Sequence, residues 1–248
     1  MADFRSIYTW KTWSFAWLSR ILCQVTFFSL IGRLFDDPLR VQFLLVGNAV
    51  HIVALAAMLV CASTAWERQA GTLPLLVASP AHPFPVFVGR SVQWLLDGTA
   101  CATISLFLLG PLFGLNILLP GGLLVIPLIF LVGLSVYSFG LVLAGLALRK
   151  TELRNIIGTI GNLSLMAICG VQVPTSFWPE PIQFAAHILP LTHGLAAIRG
   201  VLAGFPPDRI VIEVALEVGV GLTWLLVASL VFQRLVEGGR KGNSLFAD

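Results

Sequence analysis

Charge is what this sequence has least of. Only 11% of its 248 residues are Asp, Glu, Lys or Arg, against 57% hydrophobic, and the mean hydropathy is +0.92. A soluble domain carries about 25% charged residues, and a chain this apolar could not cover its surface in water. An ordinary soluble globule is excluded. A net charge of +3 is small for a nucleic-acid partner. Cysteine is scarce too, and Cys23, Cys61, Cys101 and Cys169 all lie inside apolar runs. They lack the loop placement and close spacing of a disulfide framework or zinc site, so they read as small packing residues. His82, His187 and His193 lack metal-ligand spacing. No Gly-x-x-x-x-Gly-Lys-Ser/Thr loop is present to cradle ATP, and no acid–base cluster recurs at one membrane depth. The sequence therefore offers no catalytic, cofactor or metal residues.

What the sequence has in quantity is long apolar runs. A membrane span needs roughly 20 mostly apolar residues, and six stretches qualify: 14–34, 41–64, 88–114, 121–147, 156–174 and 211–233. Each is expected to be helical, because a helix satisfies its own backbone in hydrocarbon. The alternating ten-residue runs of a membrane barrel are missing. The first run carries Arg20 and Gln24, is followed by Arg33, and has no small-residue cleavage site, so it reads as a retained helix.

The basic residues set an orientation. With the N-terminus inside, Arg5, Lys11, Arg68, Arg90, Arg149, Lys150, Arg154, Arg234, Arg240 and Lys241 face the cytoplasm. Only Arg33, Arg40, Arg199 and Arg209 face outward, which fits the positive-inside rule. An even number of spans returns the C-terminus to the cytoplasm. Residues 2–13, with Trp10, Trp13 and Trp17 at intervals of three and four beside Arg5 and Lys11, suit a helix in the interface; an aromatic belt on span one is the alternative for Trp13 and Trp17. Residues 65–87 form a cytoplasmic loop broken by Pro74, Pro80, Pro83 and Pro85. Residues 175–210 face outward, yet Ile182 to Leu202 is too apolar for a free loop. Broken backbone at membrane depth must pack on protein or line a cavity, so the expectation is an extracellular re-entrant helical hairpin.

Two of these segments carry a resemblance. Glu67-Arg68-Gln69-Ala70-Gly71-Thr72-Leu73, followed by Pro80, Gly89 and Arg90, resembles the cytoplasmic signature of ABC-2 type exporter permeases. Pro174, Phe177 and Pro179, then Pro190-Leu191-Thr192 and Arg199-Gly200, resemble the family's second signature before the last span. Leu189 stands where Asn is frequent, and Pro74 follows the Gly-Thr-Leu core where a continuous helix is expected. The resemblance covers nearly the whole chain. It implies an all-α, six-span (type V exporter) permease in the bacterial cytoplasmic membrane, closest in look to the daunorubicin-resistance-like drug and antibiotic branch. It also implies that Glu67, Arg68, Gly71, Thr72 and Leu73 form a coupling helix for separate ABC ATPase subunits. ATP and Mg would sit on those subunits, and this chain would be no enzyme. Pro179, Pro190, Leu191, Thr192 and Arg199 would form the extracellular hairpin or gate. A second permease subunit, identical or different, would complete the path, with membrane lipid around it. The implied function is export of an amphipathic drug-like or lipid-like substrate. A polysaccharide or teichoic-acid exporter is the competing branch, and a membrane enzyme or small secondary transporter a more distant one; the chain shows no repeat of the kind secondary transporters carry.

Ionisable residues inside spans cost several kcal/mol unless paired or hydrated. Arg20 lies about six residues into span one and Asp97 about nine into span three, under one turn apart in depth. An Arg20–Asp97 ion pair is expected on that ground, with separate snorkelling of the two side chains as the alternative. For Glu213 and Glu217, at the outer end of span six, two roles stay open: lining the exit of a cationic substrate, or pairing with Arg199 and Arg209.

Overall fold

The computed structural model describes residues 9–61, 83–117, 121–149 and 153–240, and every regular element among them is helical. The short helix α1 (Trp10–Thr12) passes through a π-helical turn (Trp13–Leu18) into α2 (Ser19–Arg33). Next come α3 (Pro38–Ala57), α4 (Pro83–Leu112), and α5 (Val125–Arg149) behind a 3-10 turn at Gly121–Leu124. Then follow α6 (Arg154–Ile168), α7 (Glu180–Ile188), α8 (Thr192–Leu202) and α9 (Pro207–Arg240).

Five helical stretches are long and apolar enough to cross a membrane: Trp13–Arg33, Pro38–Ala57, Ser91–Leu112, Gly121–Leu148 and Pro207–Leu235. The α7–α8 pair, bent by 86°, raises the number to six if it counts as one span. The fifth expected span, 156–174, appears instead as the fifteen-residue α6, about 22 Å long. It stops where Gly170 turns to φ +81°. The bent tail beyond it continues the path, however. Gly158 lies beside Cys61, just past the end of α3, and Val171 lies against Gly47 of that helix. Helix and tail thus follow α3 from its C-terminal end back to Gly47, ten residues or about 15 Å.

The first helix also departs from expectation. Ala2 to Tyr8 lie outside the described residues, but Trp10 to Arg33 is helical without a break. Helix α3 starts three residues before the apolar window, at Pro38. The Asp37 carboxylate accepts the Leu39 N–H at 2.9 Å, and proline fills the first turn, where its missing N–H costs nothing.

Burial follows the sequence of each helix. From Leu45 to Ala57 every residue of α3 except Leu55 is buried, as expected of a helix apolar all round and rich in alanine and valine. Helix α5 is equally central and packs on α3, α4, α6, α8 and α9. By contrast, α9 turns Val211, Ile212, Leu222, Leu226 and Leu230 outward. An apolar outer face of that kind belongs in lipid. At one end, the hairpin end, Gln42 donates to the Gly114 carbonyl (3.2 Å) and Arg33 lies over Phe113. The opposite end is where α3 runs out toward residues 62–82 and α4 begins.

Candidate functional site

The hairpin is built around one interrupted turn. Pro190 cannot donate a backbone N–H and disfavours helix at Leu189, so α7 ends at Ile188. Leu191 then adopts φ +95°, a backbone region that a branched side chain rarely enters, and it is wholly buried. Such a conformation persists only where the surroundings hold it, and here Glu217 of α9 does so. Its Oε1 accepts the Leu191 N–H at 3.1 Å and its Oε2 the Gly194 N–H at 2.9 Å.

These are two of the orphan donors that open any helix. A local Ser or Thr usually takes them, but the Thr192 hydroxyl donates instead to the Ala186 carbonyl at 2.5 Å. A carboxylate from another helix replaces the local cap, with its charge at the positive end of the α8 dipole. Glu217 is 0% exposed. It lies ten residues along α9 from Pro207, about 15 Å, or roughly half the hydrocarbon thickness. The broken turn is therefore held deep inside the bundle. Gly194 permits that seat, since a Cβ there would collide with Val132 of α5.

Two further side chains of α9 hold the same turn. The Trp224 indole N–H donates to the Ile188 carbonyl at 2.9 Å, and Glu213 Oε2 lies 2.8 Å from His193 Nδ1. Glu213, Glu217 and Trp224, spaced four and seven residues apart, make one polar stripe along an apolar helix.

Arg199 anchors the other end of α8. Its Nη1 donates to the Gly170 carbonyl and its Nη2 to the Phe43 carbonyl, both at 2.9 Å. The guanidinium carbon also sits 3.6 Å from the centroid of the Phe43 ring. The side chain thus joins α8, the tail of α6 and the first turns of α3. Gly47 makes room: a Cβ there would collide with the Val171 carbonyl and press on Arg199. Pro179, the remaining expected hairpin residue, precedes α7, and its carbonyl accepts from Ile182 (2.9 Å) and Gln183 (3.0 Å).

The structure rearranges the partners expected for the acidic residues. Glu217 does not pair with Arg199 or Arg209; it caps α8. Glu213 takes His193, while Arg209 lies over Phe205. The Arg20–Asp97 ion pair is absent. The Asp97 carboxylate accepts the indole N–H groups of Trp13 (2.6 Å) and Trp17 (3.2 Å), and the exposed Arg20 guanidinium rests over the Trp17 ring at 5.2 Å. The π-helical turn carries both indoles, and they satisfy Asp97 in place of the guanidinium. Glu67, Arg68, Gly71, Thr72 and Leu73 lie outside the described residues.

His193, Trp224, Phe43 and the two indoles as carboxylate donors were missed by the sequence reading. The α9 stripe was the available signal, because a glutamate pair with a tryptophan on the same face stands out in an apolar helix. Phe43 acts partly through its backbone carbonyl, which no residue pattern encodes.

Among known proteins, the family model described as ABC-2 type transporter matches residues 3–203. The Probable multidrug ABC transporter permease YbhR of Escherichia coli K12 is 29% identical over 145 residues, 57% of this chain and 38% of that protein. The protein of the same name from Escherichia coli O157:H7 matches to the same extent. The chain thus spans well under half the length of the curated relatives it matches. No solved structure matches it.

Proposed function

The chain belongs to the ABC-2 type transporter family, and from that premise we propose that it is the transmembrane permease subunit of an ATP-binding-cassette exporter. It moves an amphipathic, drug-like or lipid-like substrate out of a bacterial cell across the cytoplasmic membrane. ATP is hydrolysed on separate ATPase subunits, consistent with the missing phosphate loop, and a second permease subunit completes the path. The relative named as a multidrug permease supports the substrate class.

The observation that carries this reading is the path from residues 62–82 to the hairpin. Helix α3 leads into that segment at one end and meets Arg199 through Phe43 and Gly47 at the other. It is a rod of twenty residues, about 30 Å long, buried from Leu45 to Ala57 save Leu55. The ATPase docks on Glu67, Arg68, Gly71, Thr72 and Leu73 on the cytoplasmic side and displaces α3 and α4 when it closes. Arg199 passes the shift to α8, and the Glu217-held turn on the outer side opens or seals the exit. Both termini are cytoplasmic in this orientation.

Co-purification with the ATPase encoded beside it, then reconstitution in proteoliposomes, tests the reading. ATP-dependent movement of a fluorescent amphiphile is expected for wild type and lost in Glu67→Ala/Gly71→Pro, together with ATPase association. Undiminished association and transport in that variant would sink the docking assignment. A wild-type chain that binds no ATPase overturns the exporter reading itself.

A further inference from the structure

Between α7 and the lipid-facing flank of α9 lies an open groove of about 620 Å³, within the usual size range of small-molecule sites. It runs along α9 from Ala215 to Val227, twelve residues or about 18 Å. Gly219 lies on its α9 wall, and nothing is within 4 Å of the place a Cβ would occupy there. A Cβ at Gly47 or Gly194 would strike a neighbour, whereas Gly219 faces empty space.

The donors along the wall are already used. The Thr223 hydroxyl donates to the Gly219 carbonyl (2.8 Å), and the Trp224 indole N–H to Ile188. An occupant finds hydrocarbon along most of its length. The end beside His187 is different. That ring lies 5.1 Å, centroid to centroid, from His193, which is held by Glu213. Only one Glu213 oxygen is engaged among the described residues, and its side chain is 29% exposed. Arg209, one turn away, is drawn onto Phe205 rather than over the carboxylate. Beyond the His187 end, next to the residues that line the groove, stand His193 and the partly exposed Glu213 carboxylate.

We infer that this groove binds a cationic amphiphile, its tail along α9 between Leu216 and Val227 and its ammonium at the His187–His193–Glu213 end. This deepens the export reading by naming a site for the substrate. It rests on that reading for the direction of transport and not for binding.

The test uses the full chain in phosphatidylcholine nanodiscs without ATPase, titrated with dodecyltrimethylammonium brominated on its tail, a quencher of tryptophan. Saturable quenching is expected in wild type, and Trp224→Phe should remove most of it. Gly219→Phe, which fills the groove, should weaken binding on the order of tenfold, equivalent to about 1.4 kcal/mol. Glu213→Gln should weaken the ammonium probe severalfold and leave brominated dodecyl sulfate, already the weaker ligand, unchanged. Thermal unfolding of each variant separates loss of fold from loss of binding. The groove assignment is overturned by linear, unsaturable quenching, or by equal binding in Gly219→Phe. Equal affinity for the sulfate overturns the charge assignment. Equal saturable quenching by brominated phosphatidylcholine makes the occupant bilayer lipid and overturns the proposal. A chain that exports with its ATPase but shows no saturable quenching removes the groove alone. One that binds the probe but never exports removes only the exporter reading.

Discussion

Replacing Glu217 by glutamine keeps the shape of the side chain and removes half of its acceptors. In the native chain one oxygen takes Leu191 N–H and the other Gly194 N–H, and the residue is 0% exposed. Glutamine has one acceptor oxygen and one NH2 group. Whichever way the amide turns, one backbone donor meets another donor. A buried donor left unsatisfied costs about 1–3 kcal/mol in water-soluble proteins, while polar pairs inside membranes average nearer about 0.6 kcal/mol. Losing the negative charge from the α8 N-terminus adds up to about 1 kcal/mol. A total of roughly 1–3 kcal/mol corresponds to a fall in Tm of about 2–12 °C for a domain of this size. The three buried cysteines, Cys61, Cys101 and Cys169, provide the assay, since a thiol-reactive dye reaches them only on unfolding. If Glu217 lined an exit for cations instead, the same change would leave Tm untouched and alter only transport. A Glu217→Gln protein melting within about 1 °C of wild type refutes the capping argument.

Asp97→Ala should lower Tm and red-shift tryptophan emission by releasing Trp13 and Trp17, whereas Arg20→Ala should change neither by more than a surface substitution does. The double swap Arg20→Asp/Asp97→Arg should rescue nothing, because the two charges do not meet. Gly47→Ala should destabilise by about 1–3 kcal/mol through collision with the Val171 carbonyl, a drop visible in the same dye assay, while Gly219→Ala should be neutral or slightly stabilising. Arg199→Lys should leave ATPase activity in place and cut transport severalfold, because a single ammonium cannot reproduce the fork between Gly170 and Phe43; transport measured against ATP turnover reads that uncoupling.

Hydropathy made the helices legible, because apolar runs of about twenty residues leave the backbone no other option. It misjudged boundaries where local chemistry decides them. Asp37-Pro38 starts α3 ahead of its apolar window, and Gly170 ends α6 before its window closes. Proline spacing correctly marked the break at Pro190. What it could not give was the depth of the break, which depends on Glu217 arriving from a helix twenty-six residues away in sequence. Depth-matching brought Asp97 and Arg20 to the same level but could not choose between a cation and two indole donors. The π-helical turn decides that, and no residue between Trp13 and Leu18 announces it.

The capping of α8 by Glu217 also fixes an order of events during synthesis. The hairpin leaves the ribosome before α9 does, so the Leu191 and Gly194 donors and the strained Leu191 backbone have no partner when they are made. They cannot settle at mid-membrane depth until α9 has been threaded in beside them. Seating the hairpin therefore waits on the insertion of α9, and a nascent chain stalled before Glu217 presents an open, unsatisfied turn.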